Sequence, residues 1–430
     1  MTGSPWPTGS PLVRVVGHDA TLTGAPNMLL SMLRRQPPEV TVQLDLLGGG
    51  PLEGAFEQIV GRVRTRSAAE RSFLEAFGTT ASIPSPGPGR ARPDIVVANT
   101  LAASRWAVAA TPRGSTLVCH VHELDGVAER VLPTRRRGRV IDRVDRFIAA
   151  GPAVEAMLTD RWGVETRRVH ALPEAVEPPE RARWPQHGSP DETGADSVAR
   201  VRRHARRSLG IPTDAAVVIS VGACSPRKGA DRFVDLLASI GGLRARSGVE
   251  QPLHGVWVGC TPDGTLEREL ALDARRSDRP VSLHLIPSTT DVDLWLGTAD
   301  LCVGVAREDP YPLALLEAAI RGVPVVTFAS GGAADLIAST TPDRVVPAGD
   351  IASMARVAER LLRTRDETTA DLATERLRRH VKRTHTADVI APRWWGLVLA
   401  GVDPDAGGRS PWSPNAPAQA ASHPEEPGTR

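Results

Sequence analysis

The chain has 430 residues, more than one ordinary core accommodates, so two domains are expected. Its 52 basic and 50 acidic side chains give a net charge of +2, which excludes the strongly basic balance of a nucleic-acid protein. Residues 1–12 lack the charged-then-apolar order of a secretory signal, and no apolar run reaches membrane-spanning length. A cytoplasmic location without a transmembrane segment is therefore expected, with peripheral membrane contact left open.

Taken in order, the first half repeats a strand-then-helix rhythm. Residues 12–16 form a short apolar run that ends in a loop of turn formers from His18 to Pro26, and 28–33 read as helix. Residues 40–47 read as a second strand, followed by Gly48, Gly49 and Gly50 and a helix start at Pro51. A helical pattern over 68–77 precedes a Pro/Gly/Ser segment reaching 93. Strands follow at 94–98, 116–121 and 146–150, with helices at 101–110 and 152–162. Parallel strands joined by helices make a doubly wound sheet, so the class is α/β.

Prolines 173, 178, 179, 185 and 190 punctuate a polar stretch, closed by the basic, helix-like run 198–209. The first domain is placed at 1–175, the linker at 176–206 and the second domain at 207–385. The second domain repeats the rhythm: strands at 215–221, 255–258, 281–286, 301–305 and 323–328 alternate with helices at 266–274, 292–298 and 313–321. A helix at 386–402 can pack back on the first domain, and a disordered tail is expected over 403–430. The arginines at 135–137 and 202–207 read as solvated faces. Cys119, Cys224, Cys260 and Cys302 stand far apart with no C-x-x-C pair, and read as reduced, buried small hydrophobes rather than a metal site.

One stretch organises the rest: residues 307–326, REDPYPLALLEAAIRGVPVV, which run from a strand through a turn into a helix and the next strand. The helix starts at the carboxyl end of a strand, where free backbone N–H groups favour an anion such as phosphate. Asp309 stands at the turn and Glu317 eight positions later, about two helical turns away. A second loop carries Arg227, Lys228 and Gly229. A planar guanidinium fork beside a mobile ammonium suits a diphosphate, and glycine admits close backbone approach. A third, Thr23-Gly24-Ala25-Pro26, removes side-chain bulk at Gly24 where a ligand could press. A fourth ends a strand with Cys119-His120-Val121-His122-Glu123-Leu124. His120 and His122 share a strand face, but no third ligand at clear spacing accompanies them, so a neutral histidine that hydrogen-bonds a ligand hydroxyl fits better than a metal ligand. His18 with Asp19 is a similar pair.

Together these loops resemble the retaining nucleotide-sugar glycosyltransferases of glycosyltransferase family 4. The resemblance runs in order from about Leu12 to Gly401. The Thr-Gly-Ala-Pro loop resembles the glycine loop of that family's acceptor-side domain. Asn99, Thr100, His122 and Glu123 sit where the family carries similar residues. Arg227-Lys228-Gly229 resembles its diphosphate loop. Asp309 to Glu317, followed by Gly322, Pro324, Gly331 and Gly332, resembles its Glu-x7-Glu signature in the Asp-Pro-aromatic-Pro-Leu variant.

The resemblance implies a GT-B fold, two Rossmann-like domains facing across a cleft. It implies transfer of a sugar from a nucleoside diphosphate donor to a hydroxyl acceptor with retention of anomeric configuration. Arg227 and Lys228 would hold the diphosphate, and backbone N–H groups near Pro312 and Leu313 would touch phosphate. Glu317 would bind the ribose and Asp309 the donor sugar. His122 would reach the sugar from the facing domain, and Gly24 would let the first-domain loop close over the phosphate. No cofactor and no essential metal are then required. The acceptor could be a glycan, a lipid-linked carrier or a small metabolite.

Three departures stand out: Asp309 replaces the usual glutamate with Glu308 just before it, Ala223 replaces a common arginine, and Asp335 replaces a glutamate. They keep two alternatives open, a sugar-nucleotide epimerase and a non-catalytic binding subunit.

Overall fold

The computed structural model describes residues 10–61, 63–67, 70, 92–178, 194–261, 264–276, 281–364 and 372–400. Nearly all of the helical pattern over 68–77, the proline-rich centre of the linker and the tail from 401 lie outside the described residues.

Two all-parallel sheets carry the chain. The first comprises β1 (Leu12–Gly17), β2 (Thr41–Leu46), β3 (Val63–Thr65), β4 (Ile95–Asn99), β5 (Thr116–Val121), β6 (Arg146–Ala149) and β7 (Val169–Ala171). Its order is β3-β2-β1-β4-β5-β6-β7. Every residue of β4 is buried, as expected of a strand covered on both faces, and such strands read as continuous apolar runs rather than alternating ones. Helices α1 (Gly24–Leu33), α2 (Glu53–Val60), α3 (Leu101–Ala110), α4 (Asp125–Val131), α5 (Thr134–Arg143) and α6 (Pro152–Ala156, continued as a π-turn through Arg161) connect the strands. The arginines at 135–137 lie on α5, where Arg137 stacks 4.2 Å over the Trp162 ring and the other two are exposed.

The second sheet comprises β8 (Ala216–Val221), β9 (Leu253–Cys260), β10 (Ser282–Pro287), β11 (Leu301–Gly304), β12 (Val325–Phe328) and β13 (Val345–Val346), ordered β10-β9-β8-β11-β12-β13. Its helices are α7 (Gly194–Ser208), α8 (Ala230–Arg246), α9 (Thr265–Arg276), α10 (Val292–Leu296), α11 (Leu313–Ile320), α12 (Gly332–Thr340), α13 (Ile351–Arg363) and α14 (Leu372–Thr384). Helix α7 begins inside the stretch read from sequence as linker. Its arginine run is not simply a solvated face either. Arg206 is buried and donates to the carbonyls of Thr298, Thr213 and Ala215 and to the Asp300 carboxylate at 2.9 Å. Asp300 also accepts the Val217 backbone N–H at 2.8 Å, so the buried charge is paired and hydrogen-bonded on both sides.

The chain crosses between domains twice at one place. Val176 donates to the His385 carbonyl at 2.8 Å, and Ala387 donates back to Val176 at 3.1 Å. After this crossing α15 (Ala387–Leu399) returns to the first domain. Trp394 and Trp395 pack edge-on, 4.9 Å apart, within the first core beside Met28, Leu29 and Met32. Trp395 also donates from Nε1 to the Met32 carbonyl at 3.0 Å. The last helix therefore completes the first domain's core. Among the described residues no helix is long and apolar enough to cross a membrane.

Trp395→Ala should cost about 3–5 kcal/mol, through the cavity left in the first core. A urea-denaturation midpoint unchanged from the parent would show that α15 does not hold the first domain together.

Candidate functional site

Each sheet reverses strand order once, between β1 and β4 and between β8 and β11. Crevices at the carboxyl ends of such neighbours are where open α/β sheets take ligands. In the second domain β8 feeds the loop 222–229 and β11 feeds the loop 305–312, and the two loops are laced together. Arg307 donates its backbone N–H to the Arg227 carbonyl at 2.9 Å, and Arg227 donates from Nη1 to the Glu308 carbonyl at 2.8 Å. The Lys228 ammonium is paired with the Asp309 carboxylate. Two glycines permit this closeness. Gly229 sits at φ +80°, where a Cβ would stand 2.2 Å from the Val305 carbonyl oxygen. Gly331 sits at φ +77°, where a Cβ would stand 1.9 Å from the Asp309 carbonyl oxygen.

The loops border a small recess that opens to solvent. Lys228, Asp309 and Pro312 line it together with Ser220, Ala306 and Thr327. Pro312 caps α11 without any side-chain hydrogen bond, and the first turn holds no acidic residue. The first N–H groups of α11 thus keep a positive end that suits an anion. From the first domain, Gly24 comes against Leu313: a Cβ on Gly24 would touch the Leu313 side chain at 3.6 Å. Glu317 lies outside the lining but on the same helix face as Leu313 and Ala314. It is half-buried, and burial raises its pKa, with Asp293 adding to the shift and Arg321 opposing it. Arg321 itself is paired with Asp293. Among the described residues the Glu317 carboxylate has no hydrogen-bond partner and is available to a ligand.

The choice between the two adjacent acids follows from their partners. Asp309 faces the recess and pairs with Lys228, whereas Glu308 turns away and accepts the Gly126 N–H of the first domain at 3.1 Å. Tyr311, the chain's single tyrosine, anchors the same loop. Its hydroxyl meets His385 Nε2 at 2.6 Å, and its ring fills the space where Gly151 and Gly332 lack a Cβ.

His122 is held between two side chains. Its Nδ1 lies 2.5 Å from Glu174 Oε1 and its Nε2 lies 3.2 Å from Asn99 Oδ1. The Asn99 amide donates its Nδ2 to the Ala25 carbonyl at 3.2 Å, which fixes Oδ1 toward the histidine. Both ring nitrogens therefore face acceptors, an arrangement that favours the doubly protonated ring over the neutral histidine expected from sequence. Burial presses its pKa down, but the Glu174 charge and hydrogen bond more than offset this and hold it above the ordinary histidine value. Burial, then the His122 charge, holds neighbouring His120 well below that value. Glu174 is the third group that local sequence spacing did not supply, because it sits 52 residues from His122. Atoms of His120, His122 and Glu174 lie within 4.8 Å of one another, and His120 Nε2 is buried with no hydrogen-bond partner among the described residues. Trp394 donates to His120 Nδ1 at 3.2 Å, so the proton of the neutral ring is on Nε2 and leaves no lone pair there. Glu123 accepts the Leu101 N–H through both oxygens, at 3.0 and 3.1 Å, and so caps α3.

With this geometry in hand, the chain was compared with known proteins. Residues 201–378 match the model for glycosyl transferases group 1, and residues 32–179 match the model for Glycosyltransferase Family 4. The chain belongs to the family 4 glycosyltransferases. Its curated relatives include a 2-deoxystreptamine N-acetyl-D-glucosaminyltransferase of Streptomyces fradiae, 29% identical over 62% of each chain. They also include a D-inositol 3-phosphate glycosyltransferase of Salinispora arenicola, 29% identical over 61% of this chain and 57% of the relative. The chain thus spans about three fifths of the length of these relatives. Anabaena HepE, solved with UDP and glucose, superposes with a TM-score of 0.70 at 16% identity, covering 90% of this chain and 98% of that one. WaaG, described as a glycosyltransferase of lipopolysaccharide biosynthesis, superposes with a TM-score of 0.62 at 18% identity, covering 90% and 100%. At such identities the superpositions speak for the fold, and that fold is GT-B.

In this glycosyltransferase-family chain the His122–Glu174 pair has a definite pH signature. The folded pKa of His122 lies above its unfolded value, so the stabilisation is complete below about pH 6.5 and is lost as pH rises through the raised folded value. Glu174→Gln should therefore destabilise by about 3 kcal/mol near pH 6, with the gap closing as pH rises. Denaturant titrations of both proteins across pH 6–9 check this, and a gap independent of pH would contradict it.

Proposed function

We propose that this protein transfers a sugar from a nucleoside diphosphate sugar to a hydroxyl acceptor with retention of anomeric configuration. The observation that carries the reading is the recess at the carboxyl ends of β8 and β11. There Lys228, the open start of α11 and Asp309 converge on one recess. A diphosphate suits the cation and the helix start, and a sugar hydroxyl suits the carboxylate.

Donor binding then has a simple electrostatic logic. The phosphate oxygens replace Asp309 as the partner of Lys228. Asp309 is released to accept hydrogen bonds from the sugar. Arg227 joins Lys228 in offsetting the charge that grows on the leaving diphosphate. Glu317 accepts from the ribose hydroxyls. The acceptor oxygen attacks the anomeric carbon on the face from which the diphosphate departs, and the acceptor proton passes to the leaving phosphate oxygen. No side-chain base and no resident metal enter this sequence. His122 acts as a positioning residue. Through Asn99 it holds the Ala25 carbonyl, and with it the Gly24 loop that meets Leu313.

The acceptor is a small polyhydroxylated ring rather than a glycan or lipid carrier. Support comes from the two relatives named for 2-deoxystreptamine and D-inositol 3-phosphate.

Incubation with a panel of nucleotide sugars and small polyol acceptors, followed by NMR of the products, tests the reading. One donor should be consumed with retention. Lys228→Ala should lower kcat/KM by about 10²–10³-fold. Glu317→Gln should raise the donor KM about tenfold with a smaller effect on kcat. Consumption of no donor, an inverted product, or conversion of donor to its epimer without acceptor would overturn it.

A further inference from the structure

Two cysteines that the sequence sets 36 positions apart meet beside the recess. Strands β8 and β9 run parallel in register, Val221 against Val258; Cys224 lies three residues beyond the end of β8 and Cys260 is the last residue of β9. The backbones touch there. Gly222 donates to the Val258 carbonyl at 2.8 Å and Cys224 to the Gly259 carbonyl at 3.1 Å. A Cβ on Gly259 would stand 2.4 Å from the Gly222 oxygen. Glu267, in the first turn of α9, reaches over both thiols and is held by the Thr261 N–H, which it accepts through Oε1 at 2.8 Å. The two sulfurs and a Glu267 carboxylate oxygen all lie within 4.8 Å of one another.

This arrangement corrects the reading of four separate buried thiols. Cys260 is buried, but Cys224 is only half-buried and gives the cluster a way in from solvent. Two thiols and a carboxylate thus converge on one space. Two soft sulfurs with one oxygen match zinc and related thiophilic cations rather than magnesium or calcium. Metal–sulfur bonds of about 2.3 Å and a metal–oxygen bond of about 2.1 Å put tetrahedral ligand atoms roughly 3.5–3.8 Å apart. That spacing falls inside the observed spread.

We propose that Cys224, Cys260 and Glu267 bind one thiophilic divalent cation of the zinc class, with water in the fourth position. Binding releases two thiol protons to solvent, so the dithiolate, the carboxylate and the cation leave one net negative charge. The ion lies outside the reacting groups. Its effect is mechanical: Cys224 is three residues before Arg227, so tying it to β9 and α9 stiffens the loop that aims Arg227 and Lys228.

The test uses the full chain, reduced, stripped with a chelator and titrated without oxygen, first with Zn2+ and separately with Cd2+ as a spectroscopic probe. About one ion should bind per chain, and cadmium should produce an ultraviolet thiolate charge-transfer band. Cys224→Ser, at the half-buried position, should weaken Zn2+ binding by more than tenfold and reduce the cadmium band by about half. Glu267→Gln keeps an acceptor for Thr261, so it should fold as the parent does. It should retain the full cadmium band while binding Zn2+ about tenfold more weakly. A Zn2+-dependent rise in Tm in the parent, absent from Cys224→Ser, is expected as well. Binding unchanged in both variants, or no stoichiometric uptake by the parent, would overturn the proposal. So would conversion of the two thiols to a disulfide that does not take up metal when reduced again. None of these readouts uses turnover, so their failure is distinct from failure of the transferase reading.

Discussion

Lys228 and Asp309 come from two loops 81 residues apart and close on each other at the floor of the recess. That ion pair is a held charge separation. Both groups are partly withdrawn from water, which strengthens their attraction and makes either one alone costly. A bound diphosphate can exchange with the carboxylate on the lysine without leaving a charge unpaired. Everything near the pair serves its alignment. Arg227 and Arg307 lace the two loops through the backbone, and Gly229 and Gly331 allow contacts that any side chain would block. The parallel order of β8 and β11 places both loops at one end of the sheet.

A second network governs how the first domain meets that floor. Ala25, Asn99, His122 and Glu174 form a chain from the glycine loop to the crossing strand. Tyr311 and His385 form another, from the Asp309 loop to the returning crossing. Val176 and Thr386 pair between the crossings. Donor loop, hinge and acceptor-side loop are thus linked by short polar contacts in a largely dry interior, where each contact has high geometric value. The last helix, α15, is continuous with this crossing and fills the first core with Trp394 and Trp395, so the hinge cannot shift freely of that core.

Much of this was legible in the chain itself. The buried parallel strands announce themselves as apolar runs, as in 95–99 and 216–220, because both faces are covered. The Arg227–Lys228–Gly229 loop and the 309–317 turn and helix are each contiguous in the chain, so local spacing picks them out. Other features were not legible, for separate reasons. Strand β3 is three residues, two of them exposed, and carries no periodic signal. Helices α4 and α5 hide under a run of charge. Arg206 reads as surface because nothing in its local sequence reports Asp300, 94 residues away.

The sequence by itself determined the architecture and picked out the Arg227–Lys228–Gly229 loop and the Asp309–Glu317 pair, since each rests on residues close together in the chain. Only the tertiary structure decided the hydrogen-bond partners of His122, the separation of Asp309 from Glu308, and the meeting of Cys224 with Cys260 and Glu267. Each of these depends on which groups from distant segments are brought within a few ångströms and removed from water. Proton affinity and partner choice are set by that local environment, and spacing along the chain does not specify it.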